Sequence, residues 1–350
     1  MDRDLKNKTP GELEDIVESL DGKRYLAKYI FTFIHSKNAT DISDISPLSK
    51  SFQAGLVNQG YYISRLHTVQ TFTDPDGTIK YLFELADGNR IEAVLLSDGK
   101  RKTLCLSTQA GCAMNCAFCA TARLKLKRNL TTAEIADQLN IIQKDKGKIN
   151  NVVYMGMGEP LQNYEAVLKS VHIINNPQGK NIGLQHLTIS TCGIADAVRK
   201  LAHEDIRPRL AISLNAPNDT LRSKIMPINK KYPIAALMAA VKYYQLKTKM
   251  RVTFEYVLIK DLNDSASHAQ ILSKLAHQVR CNINLIEYNP NPLCPFTGSS
   301  KETIKRFAQI LGRAAIETAV RFKKGCKIKA ACGQLGVELL KQGTEKQPPQ

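Results

Sequence analysis

Three cysteines lie within eight residues of one another, at Cys112, Cys116 and Cys119. In a reducing compartment, cysteines at such spacing favour metal ligation over a disulfide framework. Tetrahedral zinc would need a fourth protein ligand, and no Cys or His pair at finger or ribbon spacing follows nearby. A cubane iron–sulfur cluster ordinarily has four thiolate ligands. Three thiolate ligands would leave one iron of the cluster open to bind and activate a small molecule. The alternative is a loop that binds zinc.

The cysteines follow the first strand of an alternating series. From Thr103 onward, apolar strand-length runs alternate with helical patterns, which predicts an α/β fold with a parallel sheet, either barrel-like or open. The predicted strands are Thr103–Thr108, Asn151–Met155, His186–Thr191, Arg209–Leu214, Val252–Leu258 and Asn282–Glu287. The predicted helices are Thr132–Lys144, Tyr164–Asn175, Ile194–His203, Pro233–Leu246, Ser265–Val279 and Lys301–Ala314. Function in such folds gathers at the carboxyl ends of the strands.

The first part of the chain has a different pattern. Short helices are predicted at Gly11–Leu20, Arg24–His35 and Pro47–Asn58, followed by a meander with strands near Ser64–Thr73, Thr78–Leu85 and Arg90–Ser97. We therefore expect a helical N-terminal accessory domain over residues 1–60 and a β meander or linker over 61–97. A core domain with a C-terminal catalytic segment should span 98–335, with a polar tail over 336–350.

Composition limits the class of protein. The hydrophobic fraction of 43% is ordinary for a soluble globular chain, no apolar run is long enough for a membrane span, and the first thirty residues lack a secretory h-region. We therefore expect a cytoplasmic protein without a membrane partner. The net charge of +17 indicates a polyanionic partner such as nucleic acid, although many basic proteins merely have a solvated basic surface.

The segment Met155–Pro160 ends the second predicted strand and could hold a ligand. Its glycines, Gly156 and Gly158, would let the backbone approach a bound molecule closely, and Glu159 offers a negative charge to an ammonium group. The alternative is a tight turn with a capping carboxylate.

Small polar residues follow three later strands: Ser190, the run Ser213-Leu214-Asn215, and Asn289. Such residues suit hydrogen bonds to a ribose and an adenine. They suit the N-caps of the following helices equally well.

The motifs together resemble a known family. C-x3-C-x2-C with an aromatic residue before the last cysteine resembles the signature of the radical S-adenosylmethionine (SAM) superfamily. GCxxxCxFCATA, MGMGEP, ISTCG, AISLNAP, MPIN and AACGQL, with Cys105 seven residues before the triad, resemble the RlmN/Cfr family of radical methyltransferases. These enzymes modify an adenine carbon in 23S rRNA. The resemblance covers about Glu92 to Leu335, and the N-terminal helices more loosely.

The resemblance implies a partial (β/α)6 TIM-like barrel with the cofactors at its strand ends. Cys112, Cys116 and Cys119 would bind a [4Fe-4S] cluster whose open iron chelates SAM and whose electron breaks the sulfonium bond. The cofactor-binding residues that it implies are Gly158, Glu159, Ser190, Ser213, Leu214, Asn215 and Asn289.

The resemblance also implies a cysteine relay that consumes two SAM molecules per turnover. Cys332 would take a methyl group from the first SAM, and a radical from the second would activate that group to add to the adenine ring. Cys105 would then form a transient disulfide with Cys332 and release the methylated base. Glu92 would accept the ring proton.

The sequence adds modest support for Glu92. In Arg90–Ser97 this carboxylate shares a strand face with Val94 and Leu96, so we expect it to be buried, which would raise its pKa and suit a base. The alternative is a charge on an edge strand.

Some residues depart from the family pattern. Asn215 stands where many members have His. The tract Arg321–Lys329 is basic where relatives often carry acidic residues, and it either contacts RNA phosphates or forms a solvated loop. Lys125, Lys127 and Arg128 form another basic stripe. Cys326 is an additional thiol that could compete with Cys105.

The most specific expectation is methylation of adenine C2 rather than C8, because Pro160 follows Glu159 where C8-type relatives tend to have alanine. The resemblance further implies adenosine 37 of certain tRNAs as a second substrate and a flavodoxin- or ferredoxin-like electron donor. The alternatives are C8 methylation, a radical SAM enzyme acting on a peptide or small metabolite, and a zinc-dependent RNA-binding module without activity.

Overall fold

The N-terminal residues form short helices, as predicted. A computed structural model describes residues 2–321 and 323–344, and these helices are α1 (Pro10–Glu18), α2 (Leu26–His35) and α3 (Lys50–Asn58). A capping box starts α1, because the Thr9 hydroxyl accepts from the Glu12 N–H while the Glu12 carboxylate accepts from the Thr9 N–H at 2.7 Å. The Ser49 side chain caps α3, which therefore begins later than the predicted Pro47.

These helices share an apolar core that is separate from the main core. Leu13, Ile30 and Leu56 lie fully buried in it, and Ala136 and Ile173 join it from helices of the main sheet region. A buried ion pair adds a polar link, since Lys6 Nζ lies 2.6 Å from Asp137 Oδ1 with both side chains almost inaccessible to solvent. Asp137 Oδ2 also accepts a hydrogen bond from the Leu66 N–H at 2.8 Å.

An antiparallel meander follows, with β1 (His67–Thr73), β2 (Ile79–Glu84) and β3 (Arg90–Asp98). Both predicted turns connect these strands. Gly77 and Gly88 have φ values of +83° and +78°, a backbone conformation that favours glycine. β3 pairs with β2 on one side and with the next strand on the other, so Glu92 is not on an edge and the edge-strand alternative is wrong.

The remaining described strands are β4 (Arg101–Cys105), β5 (Gln109–Ala110), β6 (Arg128–Asn129), β7 (Asn151–Tyr154), β8 (Leu187–Thr191), β9 (Arg209–Ser213), β10 (Val252–Leu258), β11 (Cys281–Glu287) and β12 (Thr318–Arg321). Across the described residues, ten strands form one sheet in the order β1-β2-β3-β4-β7-β8-β9-β10-β11-β12. Pairing is antiparallel up to β4 and parallel from β4 to β12. β1 and β12 form its two edges, so the barrel is open; β5 and β6 pair with each other separately.

The described helices after the meander are α4 (Thr132–Lys146), α5 (Tyr164–Asn175), α6 (Ala195–Leu201), α7 (Asp219–Ile225), α8 (Ile234–Thr248), α9 (Ala266–Ala276), α10 (Lys301–Arg313) and α11 (Val337–Thr344). The α/β class and the partial barrel predicted from the sequence are confirmed, and each predicted strand and helix of the alternating series is present to within a few residues. β12 and α7 were not predicted.

α11 lies within the segment predicted as a tail, and residues 345–350 lie outside the described residues. The division of the chain into domains at residues 60, 97 and 335 stays a prediction.

Strand β10 shows how the sheet separates the core from the barrel interior. Phe254, Tyr256 and Leu258 are fully buried, and Tyr256 packs on Phe307 of α10. Because side chains alternate along a strand, Glu255 points the other way, into the barrel. An acidic side chain in this apolar strand therefore faces the region where the strand ends meet.

The Lys6–Asp137 pair predicts a large cost of truncation. Asp137→Ala should lower the free energy of unfolding by about 3–5 kcal/mol, because it leaves the buried Lys6 ammonium without its partner. Urea unfolding followed by circular dichroism would measure this loss. Glu165→Ala is the control, since it breaks the exposed Lys200–Glu165 pair, whose loss should cost at most about 1 kcal/mol. Equal losses in the two variants would contradict the prediction.

His35 predicts a pH dependence of stability. Burial, followed by the charges of Lys6 and Lys180, lowers the pKa of His35 from 6.5 to about 3. The unfolded state then binds a proton that the folded state does not, so stability decreases as the pH falls below the unfolded value. From about pH 7.5 to about pH 5 we expect a loss of about 2 kcal/mol. Urea titrations should show a correspondingly smaller loss in His35→Gln; an unchanged pH slope would refute the assignment.

Candidate functional site

The three-cysteine loop lies at the carboxyl end of β4 and is fixed from two directions. The Ala117 N–H donates to the Ile225 carbonyl of α7 at 2.9 Å, and the Ala120 N–H donates to the Gly333 carbonyl at 2.8 Å. Phe118 packs in a small apolar cluster with Ile225. The loop is thus tied both to α7 and to the C-terminal segment that contains Cys332.

The thiols of the loop lie close enough to influence one another. Burial, with the charges of Cys119 and Glu159 adding to it, raises the pKa of Cys112 to about 12. Burial likewise raises the pKa of Cys116 well above its ordinary value, and Cys119 and Cys112 are the next causes. A bound cation would favour the thiolate forms of these cysteines and offset the effect of burial.

The donor set fits an iron–sulfur cluster. In residues 2–321 and 323–344, no three His, Cys, Asp or Glu side chains are close enough together to bind a single metal ion. A cubane cluster has a different requirement, because each thiolate binds a different iron. Soft sulfur donors on one loop, each influencing the others, meet that requirement.

The glycines of Met155–Pro160 pack closely against another part of the protein. A Cβ on Gly158 would lie 2.6 Å from the Gln109 side chain, and one on Gly156 would lie 2.6 Å from the Leu106 carbonyl oxygen. Both glycines therefore let this segment pack against the loop after β4. The close approach that they allow is to the protein itself.

Glu159 is buried at the end of β7 and already has protein partners. Its Oε1 accepts from the Leu161 N–H at 3.0 Å, and its Oε2 accepts from the Cys192 N–H at 2.7 Å. Burial nevertheless raises the pKa of Glu159 above its ordinary value. A carboxylate in this state gains from a nearby cation, which agrees with the predicted contact to an ammonium group.

The strand-end serines converge on a residue that the sequence analysis missed. Ser190 of β8 donates to Glu255 Oε2 at 2.9 Å, and Ser213 of β9 lies 3.5 Å from the same oxygen. Burial raises the pKa of Glu255, although the serines and Arg321 oppose the shift. One acidic residue in the apolar run Val252–Leu258 was the signal that could have revealed it.

Leu214 and Asn215 make contacts within the protein that hold the loop after β9 in place. Leu214 is fully buried, and its carbonyl accepts from Arg222 Nε at 3.1 Å. Asn215 has a φ of +57°, its Oδ1 accepts from the Val257 N–H at 2.9 Å, and its Nδ2 contacts Met226 Sδ. The Asn215 side chain thus joins the loop after β9 to β10.

The segment around Cys332 is seated over the cysteine loop. Asn289 Nδ2 donates to the Cys332 carbonyl at 3.2 Å, and the Thr121 hydroxyl donates to the Leu335 carbonyl at 2.8 Å. Gly333 has a φ of +81°, which turns the chain back toward the loop. Asn289 therefore holds the backbone that carries Cys332.

Cys105 and Cys332 are brought together although 226 residues separate them in sequence. Cys105 ends β4, and burial followed by the nearby Cys332 raises its pKa above the ordinary value. The Cys332 side chain is exposed to the barrel interior, where desolvation, with Glu255 and Cys119 next, raises its pKa to about 11. The two predicted partners of the relay face the same space.

Glu92 lies fully buried on β3. Its Oε1 lies 2.9 Å from Lys80 Nζ, and its Oε2 accepts from the Gly336 N–H at 2.7 Å. The burial expected from its strand face is present, but sequence reasoning missed Lys80, which neighbours Glu92 only through the pairing of β2 with β3. Glu92 thus fixes the far end of the C-terminal segment.

The basic tract Arg321–Lys329 is partly a structural clamp. The Gly325 N–H donates to Asp76 Oδ2 at 2.7 Å, and the Lys327 N–H donates to Asp74 Oδ2 at 2.9 Å. Lys323 pairs with Glu287, and Lys324 pairs with Asp98. The turn between β1 and β2 therefore holds the tract; Phe322 lies outside the described residues.

The basic stripe Lys125, Lys127 and Arg128 contains one side chain in ion pairs and two exposed ones. Arg128 pairs with Asp87 and Glu134, whereas Lys125 and Lys127 are exposed beside the cysteine loop. Of the additional cysteines, Cys192 is buried in the apolar cluster of Phe118, Cys294 is buried and acts electrostatically on Cys119, and Cys281 begins β11 and packs against the main core. Cys326 Sγ contacts Asn289 Oδ1 at 3.7 Å.

Comparison with known proteins decides among the families that such a site allows. The Radical SAM superfamily model matches residues 106–271. A Dictyoglomus thermophilum protein named "Probable dual-specificity RNA methyltransferase RlmN" is 45% identical over 338 residues, which are 95% of this chain and 97% of the relative. The chain belongs to the RlmN family. The family predicted from the sequence motifs is therefore confirmed.

Other members of the RlmN family are similarly related. A Thermus thermophilus protein of the same name is 43% identical over 331 residues, 93% of each chain. A solved radical SAM methyltransferase from Sphaerobacter thermophilus is 41% identical, covers 96% of this chain and 100% of its own, and superposes with a TM-score of 0.89. The predicted cofactors, a [4Fe-4S] cluster and SAM, are those of the superfamily.

None of the helices in the described part of this RlmN family chain has the length and apolarity needed to cross a membrane.

The clamp at the β1–β2 turn predicts that the reactive segment loosens when its carboxylates are removed. In Asp74→Ala and Asp76→Ala, the amides of Lys327 and Gly325 respectively should exchange hydrogen at least about tenfold faster, because a hydrogen bond to a charged acceptor contributes about 1.5–3 kcal/mol. Asp98→Ala is the matched control, since it removes a carboxylate that pairs only with the Lys324 side chain. Equal exchange in all variants would contradict the clamp.

Proposed function

We propose that this chain methylates C2 of adenosine 2503 in the peptidyl-transferase centre of 23S rRNA, and of adenosine 37 in tRNAs. The observation that carries the proposal is the meeting of Cys332, Cys105 and the three-cysteine loop at one end of the barrel. Two cysteines beside the cluster loop can serve methyl transfer, one by carrying the methyl group as a protein thioether and the other by releasing the product. It has no evident use in a zinc-dependent binding module.

The proposed cofactor residues are those that converge at the strand ends. Cys112, Cys116 and Cys119 would hold the cluster, while Gly158, Glu159, Ser190, Ser213, Leu214, Asn215 and Asn289 would surround SAM. When bound, the cluster and SAM supply a methyl group and, by one-electron cleavage of a second sulfonium, a radical that removes a hydrogen atom.

In the proposed relay, Cys332 accepts the methyl group as its thiol proton leaves, and its sulfur then carries the activated carbon to the adenine ring. Cys105 attacks the Cys332 sulfur as a thiolate, so an S–S bond forms while the S–C bond breaks, and the released carbon takes up a proton and stays on the base as a methyl group. The ring gives up its own proton and the one surplus electron, which the bound cluster would accept. Asn289 and the clamp of the basic tract keep the segment in place for both steps.

Glu92 is proposed as the acceptor of the ring proton. Its carboxylate is held by Lys80 and by the Gly336 N–H, so it reaches a substrate only when the segment after Cys332 releases that hydrogen bond. Proton transfer is thereby linked to movement of the segment that carries the methyl group.

RNA is the proposed partner of the basic residues around this opening. Lys125 and Lys127 are exposed beside the cysteine loop, and Lys327 is exposed on the clamped tract. Phosphate contacts from these residues would position the RNA without reading its sequence. A flavodoxin- or ferredoxin-like protein is the proposed electron donor, and the cytoplasm is the proposed location, where RNA and reduced thiols occur together.

The decisive experiment uses the anaerobically reconstituted enzyme with protein-free 23S rRNA fragments, tRNA, SAM and a reductant. Mass spectrometry of the digested RNA should identify 2-methyladenosine. Cys332→Ala should abolish this product, because no other sulfur can carry the methyl group. Cys326→Ala, which removes the next thiol along the chain, should retain most of the activity.

The alternatives give different results in the same assay. An 8-methyladenosine product would overturn the assignment of C2 while retaining the relay. Cleavage of SAM without methylation of either RNA, by protein with an intact cluster, would indicate a non-RNA substrate. In Cys105→Ala, RNA should remain covalently attached to Cys332, since the step that releases it is missing.

A further inference from the structure

Arg222 of α7 is a fully buried cation with no partner of opposite charge. Its side chain is among the largest that are inaccessible to solvent. Among the described residues, no carboxylate lies within ion-pair distance of it. A guanidinium in such a place costs several kcal/mol unless a negative charge compensates it.

The guanidinium binds only neutral acceptors. Nη1 donates to Asn229 Oδ1 at 3.0 Å, and Nη2 donates to the carbonyls of Cys192 at 2.6 Å and Ser213 at 3.3 Å. Together with the bond from Nε to Leu214, these contacts connect the loops after β8 and β9. They satisfy its hydrogen-bonding groups, but none of these acceptors carries a charge.

The nearest acidic side chain in the sequence is already engaged. Asp219 Oδ1 accepts from Asn229 Nδ2 at 2.9 Å and from the Ile234 N–H at 2.8 Å. It therefore stabilises the start of α8, and the Asn229 side chain, which accepts from Arg222 Nη1, lies between this carboxylate and the guanidinium. The charge of Asp219 acts on Arg222 from behind that amide, but burial outweighs it and lowers the pKa of Arg222.

Arg222 adjoins the cysteine loop. The helix that carries Arg222 ends at Ile225, whose carbonyl accepts from the Ala117 N–H directly after Cys116. Cys192, whose carbonyl Arg222 binds, is buried in the same apolar cluster as Cys116.

We infer that Arg222 is the buried counter-charge of the iron–sulfur cluster and makes the cluster easier to reduce. The inference rests on the proposed function, which assigns the cluster to Cys112, Cys116 and Cys119. Three thiolates on a dicationic cubane core leave a net negative charge, and reduction adds another. A fixed cation inside the protein stabilises the reduced form more than the oxidised form.

Two variants separate the charge of Arg222 from its hydrogen bonds. Arg222→Lys keeps the cation but loses most of the bridge between the two loops, and Arg222→Gln loses the cation while keeping a donor. Lys224→Gln is the matched control, because it removes one cation from the exposed side of the same helix. Each protein is reconstituted anaerobically and titrated against potential by electron paramagnetic resonance.

We expect the ratio of reduced to oxidised cluster, at a fixed potential, to fall about tenfold or more in Arg222→Gln, which equals about 59 mV for a one-electron couple. Arg222→Lys and Lys224→Gln should stay close to the wild type. An unchanged ratio in Arg222→Gln, or an equal shift in Arg222→Lys, overturns the inference and leaves Arg222 a purely structural residue.

A variant that does not hold a cluster cannot be titrated by electron paramagnetic resonance. For that case, the free energy of unfolding of each protein is measured without its cluster. If Arg222 is the counter-charge, Arg222→Gln without a cluster should be no less stable than Arg222→Lys. The inference is overturned if cluster-free Arg222→Gln fails to fold while cluster-free Arg222→Lys folds. It is also overturned if neither cluster-free variant folds. A wild-type protein that cannot assemble a cluster refutes the proposed function instead, so the two failures are distinguishable.

Discussion

The segment around Cys332 depends on hydrogen bonds to its backbone. It contributes few side chains to the main core, and it crosses the open end of the barrel. Carboxylates of the β1–β2 turn hold its beginning, the cysteine loop holds its middle through Ala120, and Glu92 holds its end at Gly336. Backbone anchors of this kind fix where Cys332 lies while leaving its side chain free in the barrel interior.

The anchors also explain the position of the antiparallel meander. β3 is paired with both β2 and β4, so the meander extends the main sheet and places Glu92 directly beside the barrel opening. Lys80, on the neighbouring strand, compensates the buried carboxylate. The meander therefore supplies one wall of the site, although its own sequence pattern predicts its strands and turns but not their pairing with the main sheet.

The strands, most of the helices and the cysteine loop were predictable because each shows in a local pattern. Tertiary pairing is not local, so Lys80 and Arg222 gave no signal: one is a lysine in a half-buried strand, the other a basic residue in a seven-residue helix. Gly156 and Gly158 were recognised as positions of close backbone approach, but their packing against a loop fifty residues earlier gave no signal, because that contact is not local. Glu255 was visible in principle, as an acid in an apolar strand.

The surroundings of the relay thiols disfavour their ionisation. Disulfide formation needs a thiolate, and desolvation raises the pKa of both Cys105 and Cys332 above the ordinary value. Neighbouring negative charges add to this effect, since Glu255 acts on both thiols and Cys332 acts on Cys105. In the proposed relay, the Cys105 thiolate therefore forms only when a substrate step lowers the free energy that its ionisation requires.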